Sequence, residues 1–343
     1  NYPTVLNSQP TTLISKLLYK FHQTRLFFST KGTIYDVGAR LEQKVSSSVQ
    51  RIISEQKINN IIASGAPFSL LYFIAKIKQQ NKSINFIADL RDPWTWGIGY
   101  GMNNLSAQRL EYEKYKEQFV LKNADYIISA SQDLKNVLDK KLACQNKQST
   151  LVINGIESNN IARYSSTSID STHINSNGII ISHIGTASND SEKYWKPLFL
   201  YIEQSSINYQ LNLYANTNTL IANWVAQHNP KKIKLNPRVN EARIQSILQE
   251  SSYLLFFKND NFPDSFPSKF FDYIKSAKPL LLYTKKGQVS EEVVNNEIGL
   301  VLDEYYDYID FSEDLNHFQY NRDYDWRKFS VETLVANIEA LLI

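Results

Sequence analysis

Two carboxylates, Asp264 and Asp272, stand eight positions apart in the run DSFPSKFFDYIKSAKPLLL, Asp264 to Leu282. The run reads as loop, helix and buried strand. Pro267 suits a helix start, where a missing N–H costs nothing. That puts Asp272 early in the helix and Asp264 in the loop before it. A helix start offers unpaired N–H groups and the positive end of a dipole to anions. A carboxylate beside such a site accepts hydrogen bonds from sugar hydroxyls. Phosphate and ribose together describe a nucleotide. The plainer alternative is that Asp264 supports the loop and Asp272 offsets the helix dipole.

The elements that must position these groups follow from alternating patterns. Strands are expected at 60–63, 84–88, 125–130 and 150–153. Helices are expected at 37–57, 68–79, 105–122 and 133–141. Ser158 to Gly178 is rich in Ser, Asn and Thr and reads as a linker. Alternation restarts with strands at 179–184, 210–215, 233–235, 253–257, 280–283 and 299–302. Helices at 192–204, 220–228, 241–250 and 289–295 lie between them, and Tyr305 to Tyr324 reads as irregular. The chain closes on a helix from Trp326 to Leu342. Strand–helix alternation at this spacing gives βαβ units and parallel sheets. The expected class is α/β, with two doubly wound Rossmann-like domains. Their expected bounds are 1–157, a linker at 158–178, 179–325, and a terminal helix at 326–343 that crosses back to the first domain.

Composition narrows the partners. The 343 residues carry a formal net charge of +3, too mild to argue for nucleic-acid binding. Cys144 is the sole cysteine, so no intrachain disulfide forms and a reducing compartment is expected. No apolar run reaches membrane-spanning length. Leu13, Ile14, Leu17, Leu18, Phe21 and Phe28 cover roughly 140° of a helical wheel. This helix either lies on the domain core or presents a basic amphipathic face to a membrane surface, a peripheral contact near residues 12–28. Asp323-Tyr324-Asp325 has the Asp-x-Asp form of some metal-binding transferases, but it lies in an acidic tail away from any strand end. No metal site is expected. His183, inside a strand, reads as a core residue.

The motifs together resemble the GT-B glycosyltransferases of retaining family four. Asp264 and Asp272 match the Glu–seven residues–Glu spacing of that family, with Asp for Glu. Lys269-Phe270-Phe271-Asp272-Tyr273-Ile274, then Lys278-Pro279, is similar to its K-hydrophobic-F-E-Y-L…K-P run. Asp89-Leu90-Arg91-Asp92-Pro93-Trp94 looks like the D-x-R-D-P-W signature of a bacterial subgroup. Ser64-Gly65-Ala66-Pro67 resembles its S-x-P-P turn, and Asn154-Gly155-Ile156 its N-G-hydrophobic-D run. The likeness starts near Asn60. Family members begin with a strand and a glycine-rich loop that residues 1–60 do not supply. With Asn1 first and Met102 the only methionine, one or two βα units are expected to be missing at the front.

The resemblance implies a metal-independent transferase with no cofactor, whose donor is a nucleotide-diphosphate sugar. It implies a glycan or lipid-linked acceptor, a role in bacterial surface polysaccharide synthesis, and a cytoplasmic place at the inner face of the membrane. Asp272 would hold the ribose hydroxyls and Asp264 would sit near the transferred sugar. Ser265, Phe266, Pro267, Ser268 and Lys269 would line sugar and phosphate, with Lys269 stabilising the departing diphosphate. Gly185 and Thr186 offer either a plain strand-end turn or close backbone approach to the diphosphate. The family's Arg is replaced by Thr186, so Lys193 or Lys196 would be the nearby cation, a point charge in place of a fork. Arg238 and Val239 would touch the nucleobase. Asp89, Arg91 and Asp92 form either a salt-bridged strand end or part of an acceptor site. In the second case Asp92 orients or deprotonates the acceptor hydroxyl and Arg91 holds an acceptor phosphate. Gly97, Gly99 and Gly101 read as a mobile loop. Two other readings stand beside the transferase: an inactive GT-B scaffold and a nucleotide-sugar epimerase.

Overall fold

The computed structural model describes residues 12–29, 37–96, 105–157, 178–185, 191–214, 219–258 and 260–342. Thr186, the Gly97–Gly101 loop and nearly all of the 158–178 linker lie outside them. Two compact units result. One runs to Val152 and takes in the chain from Ala340; the other is Ile153–Glu339.

The first unit holds α1 (Leu13–Ser29), a 3-10 turn at Val37–Leu41, α2 (Glu42–Gln56), β1 (Asn60–Gly65), α3 (Phe68–Gln80), β2 (Asn85–Leu90), α4 (Ala107–Asn123), β3 (Tyr126–Ser129), α5 (Gln132–Leu142) and β4 (Thr150–Leu151). Its strands are parallel in the order β1-β2-β3-β4. Local chemistry places the helices. Ser131 caps α5 by accepting from the Leu134 N–H at 3.2 Å, and Leu134, Leu138 and Leu142 recur at helical spacing and are buried. Phe68, Leu71, Ile74 and Ala75 do the same for α3.

The helix α1 forms as expected, but it does not lie on the core. Leu13, Ile14, Leu17, Leu18 and Phe21 are all exposed. The core-packing alternative is therefore set aside.

The second unit holds β5 (Ile179–Ile184), α6 (Glu192–Gln204), β6 (Tyr209–Tyr214), α7 (Thr219–His228), β7 (Ile233–Asn236), α8 (Glu241–Glu250), β8 (Tyr253–Phe257), α9 (Ser268–Ile274), β9 (Leu280–Tyr283), α10 (Gln288–Asn295), β10 (Gly299–Leu302), α11 (Phe311–His317) and α12 (Val331–Glu339). Its parallel sheet runs β10-β9-β8-β5-β6-β7. Every residue of β8 and β9 is buried, as strands covered on both faces require. Tyr253, Leu255 and Phe257 enter one core, while Leu254 and Phe256 enter the other. The chain winds outward from β5 to β7, then returns to β8 and winds the other way. The β5–β8 boundary is thus the topological switch point, where open α/β sheets bind ligands beyond the strands' carboxyl ends.

Two expectations change. The stretch read as irregular contains α11, whose buried residues are Phe311 and Leu315. The terminal helix is split: a 3-10 turn covers Trp326–Phe329, and α12 begins at Val331. Ser330 between them is extended and bridges to Ile156. The Ile156 N–H donates to the Phe329 carbonyl at 2.8 Å, and the Val331 N–H donates to the Ile156 carbonyl at 2.9 Å. Those backbone groups cannot also continue a helical ladder.

Candidate functional site

At the end of β5, Gly185 has φ +104°, a conformation that favours glycine. A Cβ there would lie 2.8 Å from Lys269 Nζ, so the ammonium fills the space that a side chain at this position would need. Tyr273 fixes this approach of α9 to β5. Its hydroxyl accepts from the Ile184 N–H at 2.9 Å and donates to the Ile184 carbonyl at 3.4 Å. The Lys269 ammonium also stands 5.7 Å from the Phe256 ring centroid. Among the described residues it has no hydrogen-bond or ion-pair partner. Burial pulls it down to about 8, because a desolvated ammonium loses more than a neutral amine. Buried charges are ordinarily paired; this half-buried one meets no counter-charge among the described residues.

Lys193 behaves differently. It stands near the start of α6, with Nζ 2.6 Å from Asp260 and 2.9 Å from Glu304. Burial alone would lower it, but hydrogen bonds to both carboxylates outweigh burial and hold it above the usual lysine range. Asp260 further accepts from the Tyr194 hydroxyl at 2.7 and 2.8 Å and from the Lys285 N–H at 3.2 Å. Lys196 pairs with Glu192 at 3.5 Å. The expected second cation is therefore engaged within the protein.

The loop between β8 and α9 carries the carboxylate motif and is tied down at both ends. Asp260 joins it to α6. Asp264 Oδ1 accepts from the Gln288 N–H at 2.9 Å, capping the start of α10. A Cβ on Gly287 would lie 2.6 Å from the Pro263 carbonyl oxygen, so this contact leaves no room for a side chain. Ser265 and Ser268 lie within the motif, and Phe266 packs against Phe270, Phe271 and Phe329. Pro267 is the residue before the helix rather than its first. The helix has only seven residues, with Asp272 fifth among them, so Asp272 is not early. Asp272 is exposed and pairs loosely with Lys275 at 3.6 Å. Lys269 and Gly185 are brought together; Asp264 is turned to α10. Arg238, exposed, and Val239, half-buried, lie in the loop after β7, two strands from β5.

His183 is buried in β5. Its Nδ1 meets the Leu255 carbonyl at 2.9 Å, so that nitrogen carries the proton. Burial, with the Lys269 charge nearby, pulls it to about 4, and it is neutral near pH 7.

Solved glycosyltransferases match this chain in fold. Anabaena HepE in complex with UDP matches with a TM-score of 0.61 at 14% identity, over 87% of this chain and 81% of that one. A glycosyltransferase from Rickettsia africae matches at 0.57 and 14%, over 88% and 80%. The lipopolysaccharide outer core galactosyltransferase WaaB matches at 0.55 and 13%, over 88% and 79%. The fold is that of the GT-B glycosyltransferases. No family model matches the sequence, and no curated protein matches it.

In the first GT-B unit, the run from Asp89 to Trp94 ends β2. Ser64, opposite Asp89 in register, donates to Asp89 Oδ2 at 2.6 Å. Arg91 Nη1 donates to Asp89 Oδ1 at 3.2 Å and to the Val152 carbonyl at 3.0 Å, tying the ends of β2 and β4. Trp94 is buried, stacked on Phe68 at 4.9 Å, and donates to Glu113 at 3.0 Å. Thr95 donates to Glu117 at 2.5 Å. Glu113 and Glu117 are themselves buried and paired, with Lys116 at 2.5 Å and Lys141 at 2.7 Å. Half-buried Asp92 sits on this fixed corner. Sequence reasoning missed Asp260, Glu304 and the Glu113–Lys116 and Glu117–Lys141 pairs. Among these, Glu113 and Lys116 are three apart on one helix, the only local signal any of them offered.

Proposed function

We propose that the chain is a glycosyltransferase that takes a nucleotide-diphosphate sugar at the β5–β8 switch point and transfers the sugar, with retention and without metal, to a glycan or lipid-linked acceptor in surface polysaccharide synthesis. One observation carries the reading: the half-buried ammonium of Lys269, without a hydrogen-bond or ion-pair partner among the described residues, fills the space beside left-handed Gly185 that a side chain would need. A diphosphate supplies the missing counter-charge, and glycine lets its oxygens approach the strand end. Bound UDP and UDP-glucose in HepE crystals support a nucleotide sugar as the donor.

In this reading Lys269 stabilises charge that grows on the leaving diphosphate. The bond from anomeric carbon to phosphate oxygen breaks while the acceptor hydroxyl oxygen bonds the same carbon from the same face. The hydroxyl proton passes to the departing phosphate, with Asp92 orienting the acceptor. Exposed Asp272 takes the ribose hydroxyls. Arg238 and Val239 meet the base. Asp264 shapes the sugar pocket through its hold on α10.

A screen of UDP-, GDP-, ADP- and TDP-sugars by thermal stabilisation tests it. A ligand at a hundred times its Kd adds about 2.7 kcal/mol, a shift of several degrees. NMR of the product then reads the anomeric configuration. If no nucleotide sugar stabilises the protein, the reading fails. The closed Lys193–Asp260–Glu304 cluster favours a second reading, a binding-only scaffold, because it removes one cation from the leaving group. Donor binding with neither transfer nor hydrolysis would select the scaffold.

A further inference from the structure

Helix α1 carries an apolar stripe that no part of the described protein covers. Leu13 is 79% exposed, Ile14 72%, Leu17 63% and Phe21 62%. A helix in a water-soluble fold normally buries such a stripe. The helix does not owe its start to packing. The Thr12 N–H donates to Ser15 Oγ at 2.9 Å, and the Ser15 N–H donates to Thr12 Oγ1 at 3.2 Å, a reciprocal cap that closes the first turn locally.

Charge is arranged around that stripe. At 100° per residue, Lys16 and Lys20 border one edge, while Arg25 sits toward the other, with His22 beyond it. The helix contains no Asp or Glu. Its two lysines and one arginine make +3, equal to the formal charge of the whole chain; the rest of the sequence balances to zero. With 17 residues, α1 is short of a span, and among the described residues no helix is long and apolar enough to cross a membrane.

We propose that α1 is a membrane-surface helix that lies flat in the headgroup layer of an anionic bilayer. Leu13, Ile14, Leu17, Leu18 and Phe21 enter the acyl boundary, and Lys16, Lys20 and Arg25 meet lipid phosphates. Apolar insertion and cation–phosphate attraction act on the same face, the arrangement that binds interfacial helices. A second copy of α1 is the poorer occupant, because two acid-free cationic stripes would meet without a counter-charge. The contact is independent of donor binding, which belongs to the second unit.

The test is cosedimentation of the full natural chain with vesicles of phosphatidylglycerol and phosphatidylcholine, against phosphatidylcholine alone, at 0.1 M salt. The expected result is binding to the anionic vesicles. Each cation near such a surface is worth roughly a fivefold change in partition. Lys16→Glu with Lys20→Glu should therefore weaken binding by about 25-fold or more. Leu17→Asp with Phe21→Asp should abolish it, with thermal midpoints near that of wild type. Phe21→Trp in the otherwise native chain adds an indole to the stripe. Its emission, taken as the difference from wild type, should shift to the blue on adding anionic vesicles, which reads insertion without a destabilising change. The proposal is overturned if wild type stays in the supernatant, or if both double variants bind as wild type does. It is equally overturned if the difference emission of the Phe21→Trp protein does not move, or if the chain forms a dimer that Leu17→Asp with Phe21→Asp dissociates.

Discussion

Raising the pH from 7 to 9 should weaken nucleotide-sugar binding about tenfold, and Lys269 should be the cause. Its ammonium titrates at about 8 in the free protein. A diphosphate beside it favours the charged form and restores a value near the ordinary 10.4 or above. Binding then requires the protonated lysine. The protonated fraction falls from about 0.9 at pH 7 to about 0.1 at pH 9, a loss near 1.4 kcal/mol. The diphosphate of a nucleotide sugar is esterified at both ends and does not titrate in this window. Binding at pH 8 should take up about half a proton, read by calorimetry in buffers of different ionisation enthalpy. Lys269→Arg should flatten the profile, since its charge is permanent. Lys269→Met should bind weakly at every pH. A flat wild-type profile with no proton uptake would refute the role assigned to this residue. The free protein should respond in the opposite sense. Between about 8 and 10.5 the unfolded chain holds the proton that the folded one has released, so stability rises with pH across that window. The gain is at most roughly 3 kcal/mol, less what residual solvent contact screens.

Substitutions at five residues check the geometry. Gly185→Ala should lose about 1–3 kcal/mol of stability through its left-handed backbone and at least tenfold in donor affinity by displacing Lys269, read by urea melts and titration. Asp264→Ala should cost about 1 kcal/mol by uncapping α10, and Asp264→Asn should restore most of it, since an amide oxygen still accepts from the Gln288 N–H. Asp272→Ala should weaken donor binding without moving the thermal midpoint, because the residue is exposed, while Asp92→Ala should spare donor affinity and lower transfer; equal donor affinity in wild type and Asp272→Ala would contradict the ribose role. Trp94→Phe should cost about 1–3 kcal/mol by leaving a buried Glu113 oxygen without its indole donor, measured by denaturant unfolding.

The repeating units were legible because they depend on local pattern. Tyr253–Phe257 and Leu280–Tyr283 are apolar without interruption, and only a strand covered on both faces needs that. Their bounds agree with the structure. The glycine at the end of β5 and the lysine in α9 stood out by type. The element that escaped, α11, has two apolar anchors in a stretch of Asp, Glu, Asn and Tyr, too few for its period to register. The break at Ser330 was equally hidden, since its cause is a bridge to Ile156, far away along the chain.

The amino-acid order alone supplied the residue types expected at the switch point: a glycine, two lysines, two carboxylates. Tertiary structure decided which of them are available. Lys193 and Lys269 look alike in sequence, yet one meets Glu304 across 111 positions and the other, with no ion-pair partner among the described residues, stands beside Gly185 and the Phe256 ring. Likewise, the period of α1 specified a stripe, and only the fold decided that it faces outward. Pattern is set by neighbours along the chain. Pairing, desolvation and exposure depend on neighbours in space, and a charge answers to those.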